Sequence, residues 1–191
     1  MKYVVATNNQ HKLKEIKEIL GTKIEILSLQ DVNLSVDVEE NGETFLENSL
    51  IKARAVSKLS GLPTLADDTG LMVDALGGAP GVFSARFAGE AHNDKANREK
   101  LLKQLKDVPY ENRTAAFHTV VSVVYPDGGE ITAEGHVSGH ILFEEVGEHG
   151  FGYDSLFFSD ELGKSFAEAT DDEKNTVSHR GRALRNLFDK L

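Results

Sequence analysis

The chain is 191 residues long, 40% hydrophobic and 27% charged, with 31 acidic side chains against 21 basic ones and no cysteine. That length suits one domain, residues 1–191, able to bury a core of its own. A formal charge of −10 argues against a nucleic-acid binder, and the missing cysteine excludes disulfides, thiolate metal sites and cysteine nucleophiles.

The first apolar run stops after four or five residues at Thr7-Asn8-Asn9, too short for a signal-peptide core. No run approaches the roughly 20 apolar residues of a membrane span, so a cytoplasmic protein with no membrane partner is expected. Residues 3–6 predict a short buried strand and residues 10–20 a helix. Leu13, Ile16 and Leu20 share one face of that helix, with Lys14, Glu15, Lys17 and Glu18 opposite. Asn8 or Asn9 is placed to cap it. A strand near residues 23–27 completes a βαβ opening. The next helix is expected over residues 44–59, where Thr44 and Glu47 have capping-box spacing and Leu46, Leu50 and Ala53 form the apolar stripe.

Short strands over 63–66 and 71–74 are expected to flank the acid pair Asp67-Asp68. Residues 94–105 predict a third helix, with Leu101, Leu102 and Leu105 buried. Residues 114–125 and 130–141 read as long strands joined by the turn Pro126-Asp127-Gly128-Gly129. Thr170 and Glu173 repeat the capping spacing, and Ser178 is placed to cap a last helix carrying Ala183, Leu184, Leu187 and Phe188. Together these elements imply an α/β fold, a mixed β-sheet with flanking helices.

Several segments carry polar groups that packing alone does not require. At Thr7-Asn8-Asn9-Gln10-His11-Lys12 a helix N-terminus and a lysine favour phosphate, although the same residues suit a capped surface helix. Glu39 and Glu40 precede the helix that carries Asn48 and Lys52. They either complement its dipole, or one of them, Glu39 or Glu40, shares a magnesium ion with Asp68 while Lys52 faces phosphate. Asp67-Asp68-Thr69-Gly70 reads as a carboxylate pair for cation binding or general-base chemistry, or as an Asp-rich turn. Phe151-Gly152-Tyr153-Asp154 either presents aromatics to a flat ring or folds them back into the core. Lys174, His179 and Arg180 bring donors to the last helix start, where a basic start opposes the dipole.

In order along nearly the whole chain, ATNNQHK, EENGETFLENSLIKA, LADDTGLMVDALGGAPGVFSARFAG, GFGYD and SHRGRAL resemble the inosine triphosphatase family of non-standard purine nucleoside triphosphate pyrophosphatases. The resemblance implies hydrolysis of inosine, deoxyinosine and xanthosine triphosphates to the monophosphate and pyrophosphate. It also implies a magnesium requirement, a homodimer, and an elongated mixed fold of two lobes around a central cleft. By position, Asp68 resembles the general base and a metal ligand, Glu39 the other metal-associated acid, and Glu40 its neighbour. Thr7, Asn8, Asn9, Gln10, His11, Lys12, Lys52 and Thr69 resemble triphosphate and sugar contacts. Phe151, Gly152, Tyr153, Asp154, Lys174, His179 and Arg180 resemble the base pocket. In one departure, Ser155 follows Asp154 where the family often has proline. A sister pyrophosphatase with another base preference and a non-catalytic nucleotide-binding regulator are the alternatives.

Overall fold

Apolar, β-branched and aromatic residues open the chain, and in the computed structural model, which describes residues 1–191, they form β1 (Lys2–Val5). Helix α1 (Gln10–Leu20) follows, its start capped by Asn9, and β2 (Glu25–Leu27) returns parallel to β1. Helix α2 (Phe45–Ser60) ends at Gly61 in the left-handed conformation and leads into β3 (Thr64–Val73), also parallel to β1. After α3 (Asp94–Gln104), the hairpin strands β4 (Thr114–Val124) and β5 (Glu130–Ile141) turn at residues 125–129. The short antiparallel strands β6 (Phe157–Ser159) and β7 (Lys164–Ser165) extend the sheet, and α4 (Asp171–Val177) and α5 (His179–Phe188) finish the chain. The sheet is seven-stranded and mixed, in the order β2-β1-β3-β4-β5-β6-β7.

By contact the chain divides into two compact units, Met1–Asp68 with Thr119–Gly135 and Arg180–Leu191, and Thr69–His118 with His136–His179. In the first unit, α1 and α5 bury Leu13, Ile16, Leu184 and Leu187 against Val5, Leu65 and Val121. A further cluster in that unit packs Ala53 and Val56 of α2 against Val4 and Ala66. In the second unit, Leu101 and Leu105 meet Leu71, Val137, Ile141 and a Phe117–Phe157–Phe166 group.

Three expectations need correction. Strand β3 is continuous, so Asp67 and Asp68 lie inside it rather than between two short strands. Leu46 is 42% exposed, and the buried face of α2 is Asn48, Ser49, Ala53, Val56 and Ser57. The Ser49 hydroxyl donates to Ala66 O at 3.1 Å and lies 2.8 Å from Ser122 Oγ, so small hydroxyls stand where leucine was expected. Glu15, placed on the solvent side by periodicity, is buried.

Candidate active site

The alternation of β3 sets the site. Successive strand side chains point to opposite faces. Leu65 packs with α1 and α5, and Asp67, two residues on, meets cations from those same helices. Ala66 packs with α2, and Asp68 faces a lysine from that helix. Two adjacent acids in one strand thereby acquire different partners.

Asp67 Oδ2 lies 3.1 Å from Lys12 Nζ and accepts from Arg180 Nη2 at 3.1 Å and Nε at 3.3 Å. Arg180 Nη1 donates to Glu15. Burial by itself would lower the Arg180 guanidinium, but Asp67 and Glu15 more than reverse this and hold it above its ordinary value. Burial lowers Lys12 from its ordinary value, opposed by Asp67 and reinforced by Lys52 and Arg180.

On the other face, Lys52 Nζ donates to Asp67 O at 2.7 Å and lies 3.2 Å from Glu40 Oε1 and 3.9 Å from Asp68 Oδ1. Burial pushes the Asp68 carboxyl up to about 6, against the pull of Lys52 and Lys12. The Glu40 segment is held by Gly42, whose N–H donates to Asn48 Oδ1 at 2.8 Å. A Cβ at Gly42 would stand 2.7 Å from both Asn48 Oδ1 and Glu47 Cβ, so only glycine permits this approach. Asn8 Nδ2 donates to Val36 O at 3.0 Å, fastening the same segment to the start of α1.

The phosphate-favouring helix start is partly self-satisfied. Asn9 Oδ1 accepts from His11 N at 3.0 Å and Lys12 N at 3.2 Å, and Thr7 Oγ1 accepts from Asn9 N at 3.1 Å. Asn8, Gln10 and His11 are exposed, while Thr7, Asn9 and Lys12 are half-buried. Glu39 is exposed, and Glu40 is the acid that shares Lys52 with Asp68.

In the second unit, Lys174 Nζ donates to Asp154 Oδ2 at 2.7 Å and stands 4.8 Å from the Phe151 ring centroid. Asp154 Oδ2 also accepts from Phe151 N at 3.0 Å. The buried His179 ring stacks on Phe117, with centroids 4.6 Å apart and 17° between planes. Tyr153 takes the other course open to a loop aromatic. It folds into the core and donates to Ser84 O at 2.7 Å. Arg180, grouped with the base pocket by sequence, has its guanidinium bonded to Asp67 and Glu15 in the first unit. Thr69 is half-buried on β3. Sequence reasoning passed over Glu15 and the separate role of Asp67. Glu15 lies three residues after Lys12, on the same helical face, and that spacing was the available signal.

The donor set suits a divalent ion. The Lys52 ammonium already sits among Glu40 and Asp68 carboxylate oxygens and a backbone carbonyl. No three His, Asp or Glu side chains form a cage, and magnesium does not require one, since waters and substrate phosphate complete its shell.

A lysine–carboxylate centre and an aromatic loop with its own lysine offer charges suited to phosphate and rings suited to a flat ligand. The chain belongs to the Ham1 family, whose sequence model matches residues 3–190, bearing out the resemblance read from the sequence blocks. The dITP/XTP pyrophosphatase of Clostridium perfringens is 51% identical over 197 residues, covering 100% of this chain and 97% of that protein. That of Geobacter sulfurreducens is 52% identical, covering 98% and 95%. The structure of the Staphylococcus aureus Ham1 protein superposes with a TM-score of 0.86 at 40% identity, covering 98% of this chain and 96% of that one.

Proposed function

We propose that this protein is a nucleoside triphosphate diphosphatase that hydrolyses non-standard purine nucleotides, dITP, XTP and ITP, to the monophosphate and pyrophosphate, clearing them from the nucleotide pool. The observation that carries this reading is Lys12, Lys52 and Glu40, all half-buried, converging on the buried pair Asp67 and Asp68. Full-length relatives named dITP/XTP pyrophosphatase support it.

Lys12 and Lys52 hold the triphosphate, with Thr7, Asn8, Asn9, Gln10, His11 and Thr69 as further phosphate and sugar contacts. Asp68 orients a water and takes its proton as the oxygen attacks the α-phosphorus. The bond from that phosphorus to the bridging oxygen breaks, and pyrophosphate departs. Asp68 and Glu40 would hold magnesium, with Glu39 one residue away for the ion's waters. When bound, the ion supplies charge screening of the leaving pyrophosphate. Positioning and charge stabilisation are most of what phosphoryl chemistry asks of a protein.

Phe151, Gly152, Asp154, Lys174 and His179 serve the purine, with Tyr153 anchoring the loop from the core. The Lys174 ammonium suits the six-position carbonyl of hypoxanthine or xanthine. Against adenine it would face an amino donor, an unpaired contact worth about 1–3 kcal/mol. Arg180 acts from the far side of Asp67, as a charge partner rather than a base contact. The homodimer rests on the resemblance and the cytoplasmic location on the sequence reading, and sedimentation of the purified chain tests the first.

The test is pyrophosphate release from dITP, XTP, ITP, dGTP and dATP, with magnesium and with a chelator. Turnover of the first three that stops with the chelator supports the reading; equal rates on all five, or release of orthophosphate, contradicts it.

A further inference from the structure

Helix α3 has no part in the proposed function, yet two of its side chains grip the loop that serves the purine. Gly152 lies in the left-handed region, with φ of +61°, between Phe151 and the core-anchored Tyr153. Its N–H donates to Asp94 Oδ2 at 3.2 Å. Its carbonyl accepts from Arg98 Nη1 at 2.9 Å. Asp94 and Arg98 are four residues apart, one helical turn, so a single helix face holds both polar groups of one glycine. Arg98 Nε also lies 2.7 Å from Glu145 Oε1, and that oxygen accepts from Ser155 Oγ at 2.7 Å. The arginine therefore braces the loop at residue 152 directly and at residue 155 through Glu145.

We infer that Asp94 and Arg98 are positioning residues for base recognition: they fix the Gly152 peptide, and through it the Phe151 ring and the Asp154–Lys174 pair. The inference rests on the proposed function, in which that loop takes the purine. The coupling is short. Phe151 N and Lys174 Nζ both bond Asp154 Oδ2, two residues from Gly152. A freed Gly152 peptide shifts the ring and the lysine together, away from the positions that would meet the base. Neither Asp94 nor Arg98 belongs to the lysine–carboxylate centre, so their loss falls on nucleotide affinity and base choice rather than on the chemical step.

Four variants test this with dITP as substrate and dGTP as competitor. Arg98→Met and Asp94→Leu are expected to raise KM for dITP about tenfold, leave kcat within twofold and narrow the dITP preference. Asp94→Asn keeps an acceptor oxygen for Gly152 N–H and is expected to restore near-normal KM, which a merely structural loss of the side chain would not produce. Hydrogen exchange at Gly152 N–H is expected to speed up in Asp94→Leu. Lys174→Met is the reference for the underlying reading. If it raises KM while Arg98→Met and Asp94→Leu do not, the positioning role fails and the function stands. If the wild type releases no pyrophosphate from dITP, or Lys174→Met leaves KM unchanged, the reading of the loop fails and takes the positioning role with it. A parallel fall in kcat and thermal stability with unchanged KM also overturns the inference.

Discussion

The lysine–carboxylate centre and the aromatic loop are built by opposite means. The first takes Asp67 and Asp68 from the interior of a strand and Lys12, Lys52 and Arg180 from helices, with only Glu40 on an irregular segment, so regular structure fixes most of its charges before any ligand arrives. The second hangs Phe151 and Asp154 on an irregular segment, and side-chain bonds from Asp94, Arg98, Lys174 and Tyr153 substitute for a hydrogen-bonded ladder. The contrast matches the demands. Reacting phosphorus and water need rigid geometry, whereas a planar base needs a platform and one or two directed donors.

The contrast can be broken at its strongest points first. Removing the proposed base by Asp68→Asn is expected to lower kcat for dITP by about a thousandfold or more, measured as initial pyrophosphate release, because proton acceptance and metal charge are lost together. Activity within tenfold of wild type would remove Asp68 from the chemistry. Next is Arg180→Met, expected to destabilise the fold by about 3–5 kcal/mol in denaturant titration, since it leaves Glu15 and Asp67 buried beside a missing cation. A loss below about 1 kcal/mol would show that the buried network is not structural.

The same Asp68→Asn variant should gain stability while losing activity. The folded carboxyl has its pKa raised to about 6, so its contribution is fully present below the unfolded value near 4 and lost as pH rises through 6. Above that, the ionised buried group costs the chelator-treated protein about 1–3 kcal/mol, which asparagine relieves. Denaturant midpoints should therefore show the advantage at pH 7.5 and its shrinkage toward pH 4; an advantage constant with pH would refute the burial argument. Smallest of all, Leu46→Lys should change stability by less than about 0.5 kcal/mol, because the residue is exposed and belongs to none of the core clusters.

Much of this architecture was legible. The periodicity of α1, the turn between β4 and β5, and the Asn9 and Thr170 caps follow from local rules, and the structure places them within a residue or two. Strand β3 was not read as continuous because Asp, Asp and Gly are poor strand formers, and only tertiary cations make them tolerable in its interior. The Leu46 error has the same origin, since periodicity cannot tell that hydroxyl pairs, Ser49 with Ser122, fill the space beneath α2. Blocks of sequence pointed to Asp68, Lys12 and Lys52. Which acid each cation meets depended on strand alternation, and that became visible only once β3 was seen as one strand.

The most direct test of the central claim is hydrolysis of dITP by the wild type, with magnesium, in water enriched in oxygen-18. Attack at the α-phosphorus by a water held at Asp68 predicts one labelled oxygen in dIMP and none in pyrophosphate. Label in pyrophosphate, or orthophosphate as the product, would contradict it.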